Sequence, residues 1–190
     1  MNNNTPLWTI DALQDVWYLA TKMHDGQKYG GANEGEEIDY LNHIASVVFE
    51  VMTAVSVDKT LDANLALKCA MLHDTIEDTP LAYNEIEKRF GTPVADGVLA
   101  LTKNRELDGK REKMEDSLRR IKKQPKSIWA VKMADRICNL YSPPYYWTDD
   151  KKREYMDEAR LIHRELKEGC QYLADRLEAK ISEYARFVSR

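Results

Sequence analysis

Seven consecutive residues, His73-Asp74-Thr75-Ile76-Glu77-Asp78-Thr79, set one imidazole and three carboxylates at the end of an apolar stretch. Such groups are seldom buried unless they are paired or hold a cation. Adjacent His and Asp at a helix end can both turn toward one ion. Glu77 and Asp78 follow at i+4 of His73 and Asp74, one helical turn further along the same face. Without a cation this patch would repel itself or stay solvated; with one, the first pair can ligate it and the second can orient water. Two more donors suggest themselves. His43 stands between Tyr40-Leu41 and an apolar helical face, and Asp135 interrupts the apolar stripe of Val131-Lys132-Met133-Ala134-Asp135-Arg136. Asn139 lies at i+4 of Asp135. Two histidines and two aspartates form a mixed nitrogen and oxygen set that suits manganese or iron, with zinc or nickel as other candidates. Such a centre leaves room for water or substrate oxygens, so the ion can acidify water and polarise a phosphoryl group. The competing reading of Asp135 is a buried ion-pair partner of Arg136 or Lys132.

The elements that must carry these residues read as helices almost throughout. Ile10, Leu13, Val16, Trp17 and Ala20 recur every three or four residues behind Thr9, a candidate N-cap. A Gly-rich acidic loop spans Gly26 to Asp39, and Ile44, Val47, Val48, Val51 and Val55 mark a second helix. A third runs from Leu61 to His73. Tyr83 to Phe90 is a short helix stopped by Gly91, and Pro93 opens the next. After a polar loop from Thr102 to Gly109, a charged amphipathic helix covers Lys110 to Lys123, and Ser127 is read as the cap of the helix bearing Asp135. Tyr141-Ser142-Pro143-Pro144 breaks the chain; the aromatic segment to Trp147 is either a packed turn or a pocket wall. Asp149 to Arg190 is one helix or two jointed at Gly169. The expected architecture is all-α, a single domain over residues 1–190 with its core at about 8–165 and a helical extension after it.

Composition narrows the function. There are 28 Lys plus Arg against 32 Asp plus Glu, a net charge of −4, with no basic stripe of the kind a nucleic-acid binder shows. Lys122-Lys123 and Lys151-Lys152-Arg153 are balanced by nearby acids and read as solvated faces. An anionic small molecule would therefore be held by local cations and a metal. Three unpaired, widely spaced cysteines fit a reducing cytoplasm. The polar start, Met1 to Pro6, lacks a signal core, and no apolar run is long enough to cross a membrane. The oligomeric state is not legible.

The ordered set H…HD…D resembles the HD phosphohydrolase superfamily. Within it, HDTIEDT resembles the HDxxEDT element of the alarmone hydrolases, the (p)ppGpp hydrolase domain of Rel/Spo proteins and its small free-standing forms. Met133-Ala134-Asp135-Arg136-Ile137-Cys138-Asn139-Leu140 is similar to their LADRxxNL element, and the likeness runs from about His24 to about Tyr155. It implies an HD-domain helical bundle, metal ligands at His43, His73, Asp74 and Asp135, and a catalytic acid pair at Glu77 and Asp78. It places phosphate and sugar contacts at Arg105, Asn139, Lys151 and Tyr155. Mn²⁺ is the implied cofactor, with other divalent transition metals as candidates. The implied reaction removes pyrophosphate from the 3′ position of (p)ppGpp, giving GDP or GTP in the stringent response. With no second domain evident, hydrolysis without synthesis is expected.

Two departures bear on substrate. Ile44 follows the first histidine where the family has proline. After Gln27 the family carries a basic cluster whose arginine stacks on the base; here Lys28-Tyr29-Gly30-Gly31 precedes an acidic insert, Glu34 to Glu37, so Lys28 and Tyr29 take that place. A tyrosine face stacks on any base, which leaves adenine alarmones, (pp)pApp, beside guanine. The rivals are an HD enzyme acting on nucleoside monophosphates, an HD-type cyclic-dinucleotide phosphodiesterase, and a non-catalytic nucleotide-binding or partner-binding module. The second would bring extra ligands and a GYP element that are not found, and the third a broken site.

Overall fold

Thr9 caps the first helix: its hydroxyl accepts the Ala12 N–H at 3.2 Å and starts α1, Ile10–Met23. The computed structural model describes residues 8–189; the polar start read from Met1 to Pro6 lies outside them. Helix α1 buries Leu13, Val16, Leu19 and Ala20, whereas Ile10 is 73% exposed and adds nothing to the core. The expected loop after it is instead a short antiparallel hairpin, β1 (Lys28–Gly30) and β2 (Glu37–Asp39), with Tyr29 opposite Ile38. Three-residue strands carry too little alternation to be read as strands.

Helices follow in sequence: α2 (Leu41–Val57), α3 (Ala63–Leu72), α4 (Thr75–Asp78), α5 (Tyr83–Phe90), α6 (Thr92–Leu101), α7 (Lys110–Ile121), α8 (Lys126–Asn139), α9 (Asp149–Leu166) and α10 (Gln171–Tyr184). The fold is all-α, the hairpin aside. Helix α5 ends at Gly91, whose φ of 90° suits the residue without a side chain. The break between α9 and α10 is a 3₁₀ turn over Lys167–Gly169, at the glycine read as a joint.

Helices α3 and α8 form the centre. Helix α3 packs on α1, α2, α6 and α8, and Leu65, Ala66, Leu67, Cys69, Ala70 and Leu72 are buried. Helix α8 packs on α2, α3, α9 and α10 and is buried from Ala130 through Ile137. The two are tied at their starts. Asp62 caps α3 by accepting the Leu65 N–H, and its own N–H donates to Ser127 Oγ at 2.8 Å. Ser127 therefore serves α3 from within α8, whose N-cap position is Pro125. Helix α10 buries Leu173, Ala174 and Leu177 against α8 and α9.

The approach of α6 to this pair depends on Gly97. A Cβ there would meet Ile128 Cδ1 at 2.6 Å and Cys69 Sγ at 2.8 Å. Gly97→Ala is expected to destabilise the fold by about 1–3 kcal/mol through overpacking. Urea unfolding would show it, and an unchanged midpoint would contradict the packing described.

Candidate metal centre and substrate cleft

The sequence terminates α3 where the chemistry begins. The Thr75 hydroxyl donates to the Leu72 carbonyl at 2.7 Å, and His73 and Asp74 form a two-residue break before the single turn of α4. Thr79 closes that turn by donating to the Thr75 carbonyl at 2.7 Å. His43 enters from the first turn of α2 and Asp135 from the middle of α8. Three distant segments thus meet in one place.

Their donor atoms converge. The Nε2 atoms of His43 and His73 lie 3.2 Å apart. Asp74 Oδ2 is 2.9 Å from His73 Nε2 and 3.7 Å from His43 Nε2; Asp135 Oδ1 is 3.5 Å from His43 Nε2 and 3.9 Å from His73 Nε2. The ring orientation is fixed from behind, because His73 Nδ1 sits 2.9 Å from the Ala70 carbonyl and can only donate to it. That leaves Nε2 to face the cluster with its lone pair in the neutral ring. Ligand atoms of His43, His73 and Asp135 all fall within 4.8 Å of one another, and all three residues are buried.

The charges at this point ask for a cation. Burial disfavours the imidazolium of His73, yet Asp74 and then Asp135 outweigh it and raise its pKa to about 9. Burial likewise opposes ionisation of Asp74 and Asp135, but facing His73 and Lys132 respectively hold them well below the usual carboxylate range. Two imidazole nitrogens and two carboxylate oxygens, oriented by outer hydrogen bonds, fit a divalent transition metal. The ion-pair alternative for Asp135 is also present: Lys132 Nζ donates to Oδ2 at 2.8 Å. Asn139 Nδ2 donates to Oδ1 at 2.6 Å, the same oxygen that faces the histidines.

Two confluent cavities open here. The smaller, about 370 Å³, is lined by His73, Asp74, Asp135, Glu77 and Asp78. Glu77 is held by Lys103, through its backbone N–H at 2.9 Å and its ammonium at 2.9 Å. Asp78 is the more exposed acid, and its carboxyl is raised, first by burial and then by Asp74 and Glu77. The larger cavity, about 940 Å³, holds Lys28, Tyr29 and His43, with Tyr141, Tyr146 and Trp147 on its wall. The aromatic segment thus reads as a pocket wall. Tyr40, Asn139, Trp147 and Tyr155 border both cavities.

Of the residues assigned to substrate, Lys28, Tyr29, Asn139, Lys151 and Tyr155 line this cleft. Arg105 does not; its guanidinium donates to the Glu77 carbonyl from an exposed loop. Unread in the sequence are Lys103, Lys110 and Lys113, which lie on the wall of the smaller cavity with Lys132, read there only as an ion-pair partner of Asp135. Lys110 and Lys113 share an i,i+3 face of α7, but a lysine on a charged helix gives no signal of its own. Lys151 is depressed, by burial and by the adjacent ammonium of Lys110, which is the strain an anion between them would relieve.

Comparison with known proteins agrees with this geometry. A sequence profile of the HD domain matches residues 16–177. The guanosine-3′,5′-bis(diphosphate) 3′-pyrophosphohydrolase MESH1 of Drosophila melanogaster is 29% identical over 154 residues, covering 79% of this chain and 81% of that protein. The bifunctional (p)ppGpp synthase/hydrolase SpoT of Escherichia coli (strain K12) is 31% identical over 149 residues, 76% of this chain but only 20% of SpoT. The solved structure of a metazoan ortholog of SpoT, described as hydrolysing ppGpp and acting in starvation responses, matches at a TM-score of 0.74 and 25% identity. That match covers 95% of this chain and 97% of the other.

A cation bound at a hundredfold excess over its dissociation constant should stabilise the folded state by about 2.7 kcal/mol, a rise in Tm of roughly 5–10 °C for a chain this size. Adding Mn²⁺ to chelator-treated protein in a thermal melt checks this, and an unchanged Tm would argue against a metal centre.

Proposed function

The chain belongs to the HD domain family, and we propose that within it this protein is a divalent-metal-dependent hydrolase that releases the 3′-diphosphate of the alarmone (p)ppGpp as pyrophosphate. The observation carrying this reading is the convergence in one cleft of the His43, His73, Asp74 and Asp135 donors, the Glu77–Asp78 pair and a lysine-lined wall. The likeness to MESH1 over most of both chains supports the substrate class. No described helix is long and apolar enough to cross a membrane, as a small-molecule enzyme permits.

The metal, proposed as Mn²⁺, would supply Lewis acidity and lower the pKa of water. Glu77, fixed by Lys103, orients the attacking water, and the raised carboxyl of Asp78 accepts its proton. The water oxygen bonds to the phosphorus attached at the 3′ oxygen; that P–O bond breaks, and the 3′ oxygen leaves as a hydroxyl by taking the proton that Asp78 accepted from the water. Lys110, Lys113 and Lys151 carry the charge of the departing diphosphate. Tyr155 and Asn139 border the sugar, and the nucleoside extends into the aromatic lobe beside Lys28 and Tyr29. The proposal includes a cytoplasmic setting and one HD unit over residues 1–190.

Adenine alarmones are a second reading that one contact admits equally. Asn42 Nδ2 donates to the Tyr29 hydroxyl at 2.7 Å and so fixes a stacking face that is indifferent to the base.

Purified protein with Mn²⁺ should release pyrophosphate from ppGpp, ppApp or both, as read by chromatography. The double variant Glu77→Ala, Asp78→Ala should retain metal and lose roughly 10²–10⁴-fold in turnover. Silence on both alarmones, with phosphate released from nucleoside monophosphates, would replace the proposal with the monophosphate rival. Nucleotide binding without any turnover would favour the non-catalytic one.

A further inference from the structure

Tyr40 was assigned no role in the sequence, yet it occupies the junction of the two cavities. Its hydroxyl donates to Asp74 Oδ2 at 2.5 Å. That is the same oxygen that lies 2.9 Å from His73 Nε2 and faces His43. The ring is clamped on three sides: by His24 at 5.1 Å between centroids, by His43 at 5.4 Å, and edge-on by Tyr29 at 6.2 Å.

The clamp is itself braced. The Tyr40 N–H donates to the Gln27 carbonyl at 2.9 Å, and the Gln27 N–H to the His24 carbonyl at 3.1 Å. His24 Nδ1 lies 2.6 Å from Gln27 Oε1. His24 is 1% exposed, its Nε2 has no partner among the described residues, and its ring packs against Tyr40 while its Nδ1 holds Gln27. Packing would need only the Tyr40 ring. The hydroxyl, aimed at one chosen carboxylate oxygen, needs a separate reason.

Resting on the metal-centre reading above, we propose that Tyr40 is a positioning residue for the metal, its phenol fixing the cation-facing oxygen of Asp74 and thereby setting the affinity of the site. A donor on that oxygen occupies one lone pair, stops the carboxylate from rotating and leaves a defined lone pair for the ion. The clamp places the donor before any metal arrives, so the ordering cost is met during folding.

The test is Tyr40→Phe, which keeps the ring and its clamp and deletes the hydroxyl. Chelator-treated wild type and variant are titrated with Mn²⁺ alone, with free ion read by electron paramagnetic resonance. The dissociation constant is expected to rise about 10–100-fold, the usual cost of losing an outer-sphere partner. Turnover should fall at low Mn²⁺ and recover at high Mn²⁺, with KM for nucleotide unchanged. Equal Mn²⁺ affinity in the two proteins would overturn the proposal while leaving the metal centre standing. Absence of Mn²⁺ binding in the wild type would overturn the metal-centre reading itself. Should Tyr40→Phe not fold, Tyr40→Met, which fills the space with a flexible side chain that has no donor, carries the same comparison: weaker Mn²⁺ binding supports the proposal and unchanged binding overturns it.

Discussion

Everything in this molecule is arranged around the convergence of two imidazoles and two carboxylates where α3 breaks. Four titratable groups with partners closer than 4 Å would be a liability in a core this apolar. The chain tolerates them because three of the four are fixed by hydrogen bonds to groups around the cluster. The Ala70 carbonyl holds His73, Tyr40 holds Asp74, and Lys132 with Asn139 holds Asp135. Such bracing leaves the lone pairs pointing inward, and a divalent ion is the simplest species that satisfies them all at once.

From that centre the cleft divides by charge. On the α7 and α9 side it carries lysines, three of which have no ion-pair partner closer than 4.0 Å among the described residues. On the α2 and hairpin side the cations are engaged: Arg176 makes a two-pronged contact with buried Glu50, and Lys28 pairs with Glu37 at 3.4 Å. Aromatic rings take over there. A ligand with one phosphate-rich end and one planar end matches this division. The net charge of −4 conceals the arrangement, since only a handful of lysines are aimed inward.

How much of this the sequence disclosed follows from the range over which each signal acts. Helix periodicity is local and strong, so α1, α2, α5 and α8 were legible from their apolar spacing, and the joint at Gly169 from a single residue. The hairpin was not legible, because Lys-Tyr-Gly and Glu-Ile-Asp pair through backbone bonds across a turn whose residues read as loop. Ser127 looked like a cap for its own helix and instead serves Asp62, a contact 65 positions away. Within the cleft, ordered His and Asp residues stood out as rare types in apolar surroundings. Lys110, Lys113 and Tyr40 did not: a lysine on a charged helix and a tyrosine before an apolar run are what ordinary surfaces and cores contain. Their meaning appears only once three segments are brought together. Arg105, conspicuous in a polar loop, turns out to grip the Glu77 backbone outside the cavities.

The buried Arg136 shows how far the site's demands reach into the fold. Its guanidinium lies 4.0 Å from the centre of the Tyr155 ring and donates to Glu158 at 3.1 Å, yet its Nε and Nη1 are buried without partners among the described residues. Leaving such donors unmet costs free energy, and an apolar residue in its place would pack without that cost. What the arginine gives in return is a rigid tie between α8, which carries Asp135, and α9, which carries Lys151 and Tyr155. Asp135 and the lysine rim belong to different helices, and one cavity can present both only if their spacing is held. Helix packing alone fixes that spacing loosely, since apolar contacts have no direction. A stacked, ion-paired guanidinium fixes it in direction as well as distance.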